Sequence, residues 1–478
     1  MQEQDTSTPG FSNARNLLQR AALEVPAYKE FLASLNVSAD DVNTPEDFAA
    51  ITPVTKENYL KAFPLKELMW NGSVMGSEVI SNSSGSSGKP FFWPRNVVAR
   101  QQSVDVHRNI FQDIFKIKED EPTLVIVGFA MGSWIAGTYT FAAVLKLRED
   151  DNLPITLATP GINKIEIVRL LQEIAPLFKR VILAGYPPFV KDVLDEAKRQ
   201  GVDLPSLPLN LLFAGENFSE NWRDYVLHKI GREESLDTSV TIYGTADAGL
   251  LGHENPFTVF VRRTALAHPA IFEKLFPGTS SIPSLVTYYP EQRYFEEVDG
   301  NLIFSADNSL PLIRYQIGDQ GRLVSGAEIW DVLKANSISI PAELESLREL
   351  PYLTIYGRTD VATTFYALDI YPENIRYGLE DRRFDKYLTG KFVLKTDNHP
   401  VTQEQILNLK LELKPDVQSI DVPVDDITEA VLMSLKKFNS EFSRLYQEIG
   451  AKAHPNVVLL PTDSPEFTIN IKHRWNQR

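Results

Sequence analysis

The stretch Ser81-Asn82-Ser83-Ser84-Gly85-Ser86-Ser87-Gly88-Lys89-Pro90 contains eight Ser, Asn or Gly residues in ten. Such residues let backbone N–H groups converge on a multiply charged anion without Cβ interference. Hydroxyls add donors and Lys89 adds a point charge, so the chemistry on offer is that of a phosphate cradle. It is not a Walker loop, because Ser83 and Pro90 stand where that pattern needs Gly and Ser or Thr. Nor is it a dinucleotide turn: Gly85 and Gly88 are its only glycines, and the flanks Glu78 to Ser81 and Phe91 to Pro94 read as strands. On composition alone, a flexible polar hairpin loop is an equal reading.

The elements that must position this loop follow from periodicity. Residues 11 to 35 read as helix interrupted at Pro26, a small amino-terminal helical unit. Thr55 reads as the cap of the helix after it. Strands are expected at Thr123 to Val127, Ile155 to Leu157, Val181 to Ala184, Leu209 to Phe213 and Val240 to Tyr243. Helical stretches between them, such as Ile165 to Phe178, are long enough to cross over. The result is an α/β fold with a parallel sheet built from βαβ units, whose ligands lie beyond the carboxyl ends of the strands. Residues 257 to 324 read as a β-rich subdomain, with strands at Thr258 to Val261, Leu285 to Tyr289, Tyr294 to Val298 and Leu302 to Ser305. At 478 residues the chain is too long for one core, so two or three domains are expected.

Composition narrows the function classes. Hydrophobic residues make up 43% and charged residues 23%, with no apolar run approaching a membrane span. The start Met1-Gln2-Glu3-Gln4-Asp5 lacks a basic region followed by an apolar one, so no signal peptide and a cytoplasmic protein are expected. A net charge of −15 opposes nucleic acid and anionic membrane as partners and favours small molecules. There is no cysteine, so any thioester chemistry must use another molecule's thiol.

Ser-Ser-Gly-Ser-Ser-Gly-Lys-Pro resembles the phosphate loop of the adenylate-forming (acyl-CoA synthetase) superfamily, and the segments matched in order bring the chain nearest to its phenylacetate-CoA ligase branch. Phe213-Ala214-Gly215-Glu216-Asn217 is similar to the stretch lining the adenine. Tyr243-Gly244-Thr245-Ala246-Asp247 is similar to a segment whose tyrosine stacks near adenine and whose acid holds magnesium; here Ala246 removes a hydroxyl and Asp247 is one methylene shorter. Pro311 to Asp319, ending Arg314-Tyr315-Gln316-Ile317-Gly318-Asp319, resembles the segment whose aspartate accepts both ribose hydroxyls. Tyr356-Gly357-Arg358-Thr359-Asp360 resembles the boundary of a small mobile domain, with Asp360 as hinge. Ala367 replaces a glycine of the family near the thiol tunnel.

The resemblance implies a large multi-subdomain amino-terminal ATP- and acyl-binding domain, 1–356, and a small mobile α+β carboxy-terminal domain, 357–478. Its ATP-binding set is Ser83, Ser84, Gly85, Ser86, Ser87, Gly88, Lys89, Gly215, Glu216, Asn217, Tyr243, Gly244, Thr245, Arg314 and Asp319. Lys89 and Lys472 would be catalytic and Asp247 would bind magnesium. The family's mobile lysine stands three residues before an arginine; counting back from Arg474 gives Ile471, so Lys472 is one place out of register. The acyl pocket would be Phe129, Met131, Trp134, Ala136 and Gly137, whose flat walls suit an aryl acid.

The implied reaction joins a carboxylic acid to AMP, releases pyrophosphate, and passes the acyl group to CoA. ATP, Mg2+ and CoA are the implied cofactors. Transfer to a carrier protein or an amine is an alternative, as is a degenerate homologue that binds without turnover. The oligomeric state is not legible, a homodimer being one option.

Overall fold

A computed structural model of the protein describes residues 9–82, 91–277, 279, 282–358, 363–366, 368–398 and 405–467. The chain divides into two compact units. The first comprises Met1–Asn217, Leu227–Leu275 and Ser284–Gly357; the second comprises Phe218–Val226, Phe276–Pro283 and Arg358–Arg478.

The first unit begins with helices Pro9–Glu24 and Pro26–Ser34. Leu18, Ala21, Tyr28 and Leu32 on these helices join a core that also holds Phe295, Phe304 and Tyr315. Strands β1 (Ser77–Asn82) and β2 (Phe92–Asn96) pair antiparallel as a separate two-stranded ribbon, with Ser81 opposite Trp93. Then follow β3 (Thr123–Gly128), β4 (Ile155–Ala158), β5 (Arg180–Gly185), β6 (Leu209–Ala214) and β7 (Ser239–Thr245). These five pair in parallel, in the order β4-β3-β5-β6-β7. All six residues of β3 are buried, as expected where helices cover both faces of a parallel strand.

The sheet continues antiparallel through β8 (Gly249–His253) and β9 (Ser284–Thr287). Next in the chain come β10 (Arg293–Val298), β11 (Asn301–Ala306), the 14-residue β12 (Leu312–Ser325) and β13 (Pro351–Arg358). One sheet of 11 strands results, in the order β10-β11-β12-β13-β9-β8-β7-β6-β5-β3-β4. The β-rich segment is continuous with the main sheet through β9 and β13. Thr258 to Val261, expected as a strand, belongs to the helix Pro256–Ala267. Asn255 and Thr258 form a reciprocal capping box there, with Pro256 at the first turn. That cap, together with burial of Phe257, Val261 and Ala265, overrides the strand preference of the β-branched residues.

In the second unit, β14 (Thr363–Phe365) and β15 (Leu368–Ile370) form a hairpin. There β16 (Leu388–Asn398) pairs antiparallel with β17 (Gln405–Leu413), and β17 pairs in parallel with β18 (Asn456–Leu460). The helices Pro372–Leu379 and Val424–Phe438 contribute Ile375, Ile427, Val431 and Leu435 to its core, beside Phe392 and Leu409. This is an α+β arrangement. Among the described residues no helix is long and apolar enough to cross a membrane.

Candidate active site

The strand β7 runs into the turn Thr245–Ala248 and returns as β8. The Thr245 hydroxyl accepts from the Ala248 N–H at 3.0 Å and closes the turn locally. Asp247, 2% exposed, points its carboxylate inward. Its Oδ2 accepts from the Tyr315 hydroxyl at 2.6 Å and lies 3.1 Å from the Lys56 ammonium. One strand to the antiparallel side of this turn's return, the Tyr243 hydroxyl on β7 donates to Asp319 Oδ2, and Asp319 is 4% exposed. Two carboxylates, two tyrosines and a lysine thus meet beside the carboxyl end of β7.

Lys56 reaches this place because its segment is laid along β12. Val54 forms a parallel bridge with Tyr315, with the Val54 N–H donating to the Arg314 carbonyl at 3.0 Å and the Gln316 N–H to the Val54 carbonyl at 2.9 Å. Thr55 then caps the helical turn Lys56–Leu60 in a reciprocal box with Asn58. The cap orients the turn and Lys56 is its first residue.

Arg314 acts in the same local construction. Its φ of +50° at an irregularity in the β11–β12 ladder turns the side chain into the interior. There it pairs with Glu296 at 2.9 Å and donates to the carbonyls of Ala49, at 2.7 Å, and Ile51. Its side chain, 2% exposed, is thus tied to the segment before Lys56 and to β10. Burial raises the Glu296 carboxyl above its ordinary value despite the arginine.

At the end of β6, Gly215 has φ +93°, and a Cβ there would lie 2.8 Å from the Tyr186 ring. Glycine is required on both counts. Glu216 and Asn217 follow directly. Burial, and next the Glu216 charge, push the Tyr186 hydroxyl well above its ordinary value.

After β3, Phe129 is buried, while Met131 and Ala136 pack against the same core as Leu250 and Ala214. Trp134 begins the helix Ile135–Asp150, and a Cβ on Gly137 would lie 2.3 Å from the Ala130 carbonyl. The expected acyl-pocket residues are therefore neighbours, folded on the helix start.

Ser83, Ser84, Gly85, Ser86, Ser87, Gly88, Lys89, Asp360, Ala367 and Lys472 lie outside the described residues. The residues brought together among those described are Tyr243, Gly244, Thr245, Asp247 and Asp319. Sequence reasoning missed Lys56, whose only local signal is its place one residue after the Thr55 cap. It also missed Arg95, a buried arginine on β2 that donates to the Asp247 carbonyl at 3.0 Å.

Asp247 offers a hard oxygen ligand of the kind magnesium takes, with its Oδ2 shared by Lys56 and Tyr315. Among the described residues no group of three or more His, Asp and Glu could hold a metal ion.

Among solved structures, the fold is similar to 2-hydroxyisobutyryl-CoA ligase in the postadenylation state in complex with 2-HIB-AMP. The TM-score is 0.66 at 15% identity, covering 95% of this chain and 85% of that one. The same ligase in complex with 2-HIB-AMP and CoA in the thioesterification state gives 0.54 at 15% identity, covering 98% and 88%. The AtGH3.15 acyl acid amido synthetase in complex with 2,4-DB gives 0.58 at 12% identity, covering 96% and 87%. No protein-family model matches the sequence and no curated protein matches it. The likeness is one of fold: the chain folds as this ligase and this amido synthetase do.

Proposed function

We propose, from the adenylate-forming fold, that this protein activates a carboxylic acid at the expense of ATP. A carboxylate is a poor electrophile because its charge repels nucleophiles. Its oxygen instead attacks the α-phosphorus of ATP, the bond to the bridging oxygen of pyrophosphate breaks, and an acyl adenylate forms. The sulfur of a thiol then attacks the acyl carbon and AMP leaves with the bonding pair. The protein's part is positioning and charge stabilisation.

The observation that carries this reading is the convergence of Tyr243–Asp319 and Lys56–Asp247–Tyr315 at one strand end. Asp319 offers a vicinal diol two acceptor oxygens, with Tyr243 fixing one of them. Lys56, held by Asp247, supplies a cation for the phosphates. Magnesium enters with the nucleotide. The roles of the 81–90 loop with Lys89, of Lys472 and of a rotation about Asp360, and the division into 1–356 and 357–478, rest on the sequence resemblance. The apolar grouping of Phe129, Met131 and Ala136 favours an aromatic acid.

CoA is the proposed thiol. An amine acceptor is the second reading, favoured by the likeness to an amido synthetase, and a carrier-protein thiol is the third. The test is pyrophosphate release from MgATP with a panel of aryl and aliphatic acids, each with and without CoA. Acid-dependent release raised by CoA supports the proposal. Acid-dependent release indifferent to CoA moves the acceptor to an amine or a carrier protein, and no release with any acid refutes the activity.

A further inference from the structure

Tyr186 follows β5 directly, and by the alternation of a strand its side chain continues the face that Ile182 and Ala184 present to the core. Ala214 of β6 and Ile242 of β7 lie on the same face. Tyr186 is packed against this core beside Met131, Ala136 and Leu250, and like them it is only partly enclosed. It thus adds a hydroxyl to the apolar grouping assigned above to the acid.

The ring is closely fitted. A Cβ on Gly215 would lie 2.8 Å from Tyr186 Cε2 and 3.3 Å from Cζ, so the end of β6 carries no side chain beside the hydroxyl end of the ring. Yet the hydroxyl is buried and has no hydrogen-bond partner among the described residues. Leaving a buried polar atom unpaired is costly, whereas a phenylalanine would pack the same ring without that cost. Tyr28 and Tyr59 also carry unpartnered buried hydroxyls, but both belong to the core under the amino-terminal helices. Tyr186 stands instead where a strand of a parallel sheet ends, the place at which such sheets receive ligands.

The group that completes this hydroxyl has a definable chemistry. Burial, and next the Glu216 charge, oppose its ionisation, so at neutral pH it is a phenol and carries its proton. A phenol donates better than it accepts, because its oxygen lone pair is shared with the ring. The same Glu216 charge repels an anionic substituent. What fits is a neutral oxygen, that of a hydroxyl or an ether.

We propose that Tyr186 is a specificity-determining residue of the acid site, donating to a neutral hydroxyl or ether oxygen carried by an aromatic carboxylic acid. The substrate class narrows from aromatic acids to their hydroxy- and alkoxy-substituted members. The inference rests on the acid-activation reading above.

Pyrophosphate release from MgATP tests it, with benzoate, phenylacetate, the ring-hydroxylated and ring-methoxylated derivatives of each, and a set of aliphatic acids, in the wild type and in Tyr186→Phe. The wild type is expected to use its best oxygen-substituted acid with a kcat/KM about tenfold or more above that of the unsubstituted parent, since only the substituted acid pairs the hydroxyl. In Tyr186→Phe that ratio should fall to within about twofold of unity, chiefly through the KM for the acid. Without ligand, Tyr186→Phe should unfold in urea at no lower a concentration than the wild type, because the hydroxyl it removes has no partner to lose.

A wild type indifferent to the oxygen, a ratio that Tyr186→Phe leaves unchanged, or a rise in the KM for ATP shared by every acid overturns the inference while acid activation stands. A lower urea midpoint for Tyr186→Phe would reveal a partner within the protein and overturn it too. Release with aliphatic acids alone overturns the aromatic class named here. No release with any acid overturns the activity, and this inference with it.

Discussion

Lowering the pH from 7 to 5 should destabilise the protein through two buried histidines. His107, on the helix Val97–Arg108, and His253, at the end of β8, are 0% and 3% exposed. The His107 Nδ1–H donates to the Ser103 carbonyl at 2.7 Å and its Nε2 has no partner. The His253 Nδ1–H donates to the Glu254 carbonyl at 2.7 Å, and its Nε2 accepts from the Tyr289 hydroxyl. Both rings are neutral, and burial pulls each down from 6.5 to about 4.

The folded value lies below the unfolded one, so the stability is fully present above pH 6.5. It is lost as the pH falls towards 4, because the unfolded chain takes up protons that the fold refuses. At pH 5 the loss is about 2 kcal/mol per histidine. Mutual repulsion of the two rings adds to the cost of charging both. Glu296 and Asp307, raised by burial, act in the opposite sense at the acid end of this window.

The assay is urea unfolding at pH 7, 6 and 5, for the wild type and for His107→Asn, whose amide can keep the bond to Ser103. The wild type should lose about 4 kcal/mol over this range and the variant about half as much. Equal pH slopes for the two proteins, or a flat wild-type profile, would mean that His107 is not held neutral by burial.

Three further perturbations probe the site and its frame. Asp319→Asn should weaken adenosine about tenfold or more in calorimetry, since a hydrogen bond to a charged group is lost; unchanged affinity would remove Asp319 from the ribose site. A double-mutant cycle of Lys56→Met and Asp247→Asn in urea should give a coupling of about 2 kcal/mol, reduced from a fully buried pair because Lys56 is 32% exposed. A coupling near zero would dissolve the pair as a unit. Gly321→Ala places a Cβ 2.1 Å from the Thr354 carbonyl and 2.7 Å from Leu302 Cδ1, so a loss of about 3 kcal/mol is expected; wild-type stability in the variant would mean that the β12 and β13 backbones separate freely.

The parallel strands were legible because each is a nearly continuous apolar run between helical stretches, the mark of burial on both faces. The same rule failed at Thr258 to Val261, where a four-residue run of β-branched and aromatic residues sits behind an Asn-Pro-x-Thr cap that only helix geometry satisfies. The continuity of the β-rich segment with the main sheet was not legible for a different reason. Each hairpin is local, but the pairing of β13 with β9 and the continuity of 11 strands depend on partners far apart in sequence.

At the site, Tyr243, Asp247 and Asp319 were visible because each lies in a compact local pattern. Arg314 was visible too, but its role was not: Glu296 and the 49–51 carbonyls that occupy it are distant in the chain. Lys56 and Arg95 carry no local pattern. What marks them is their contacts with Asp247, the Lys56 ion pair and the Arg95 bond to the Asp247 carbonyl, and those exist only once the chain has folded.

Acid-dependent exchange of radiolabelled pyrophosphate into ATP reads the adenylation half-reaction without any acceptor. With MgATP and an aromatic carboxylic acid, exchange is expected that vanishes when the acid is omitted and falls sharply in Asp319→Asn. Nucleotide binding with no exchange for any acid in a broad panel would contradict acid activation and leave a protein that binds without turnover.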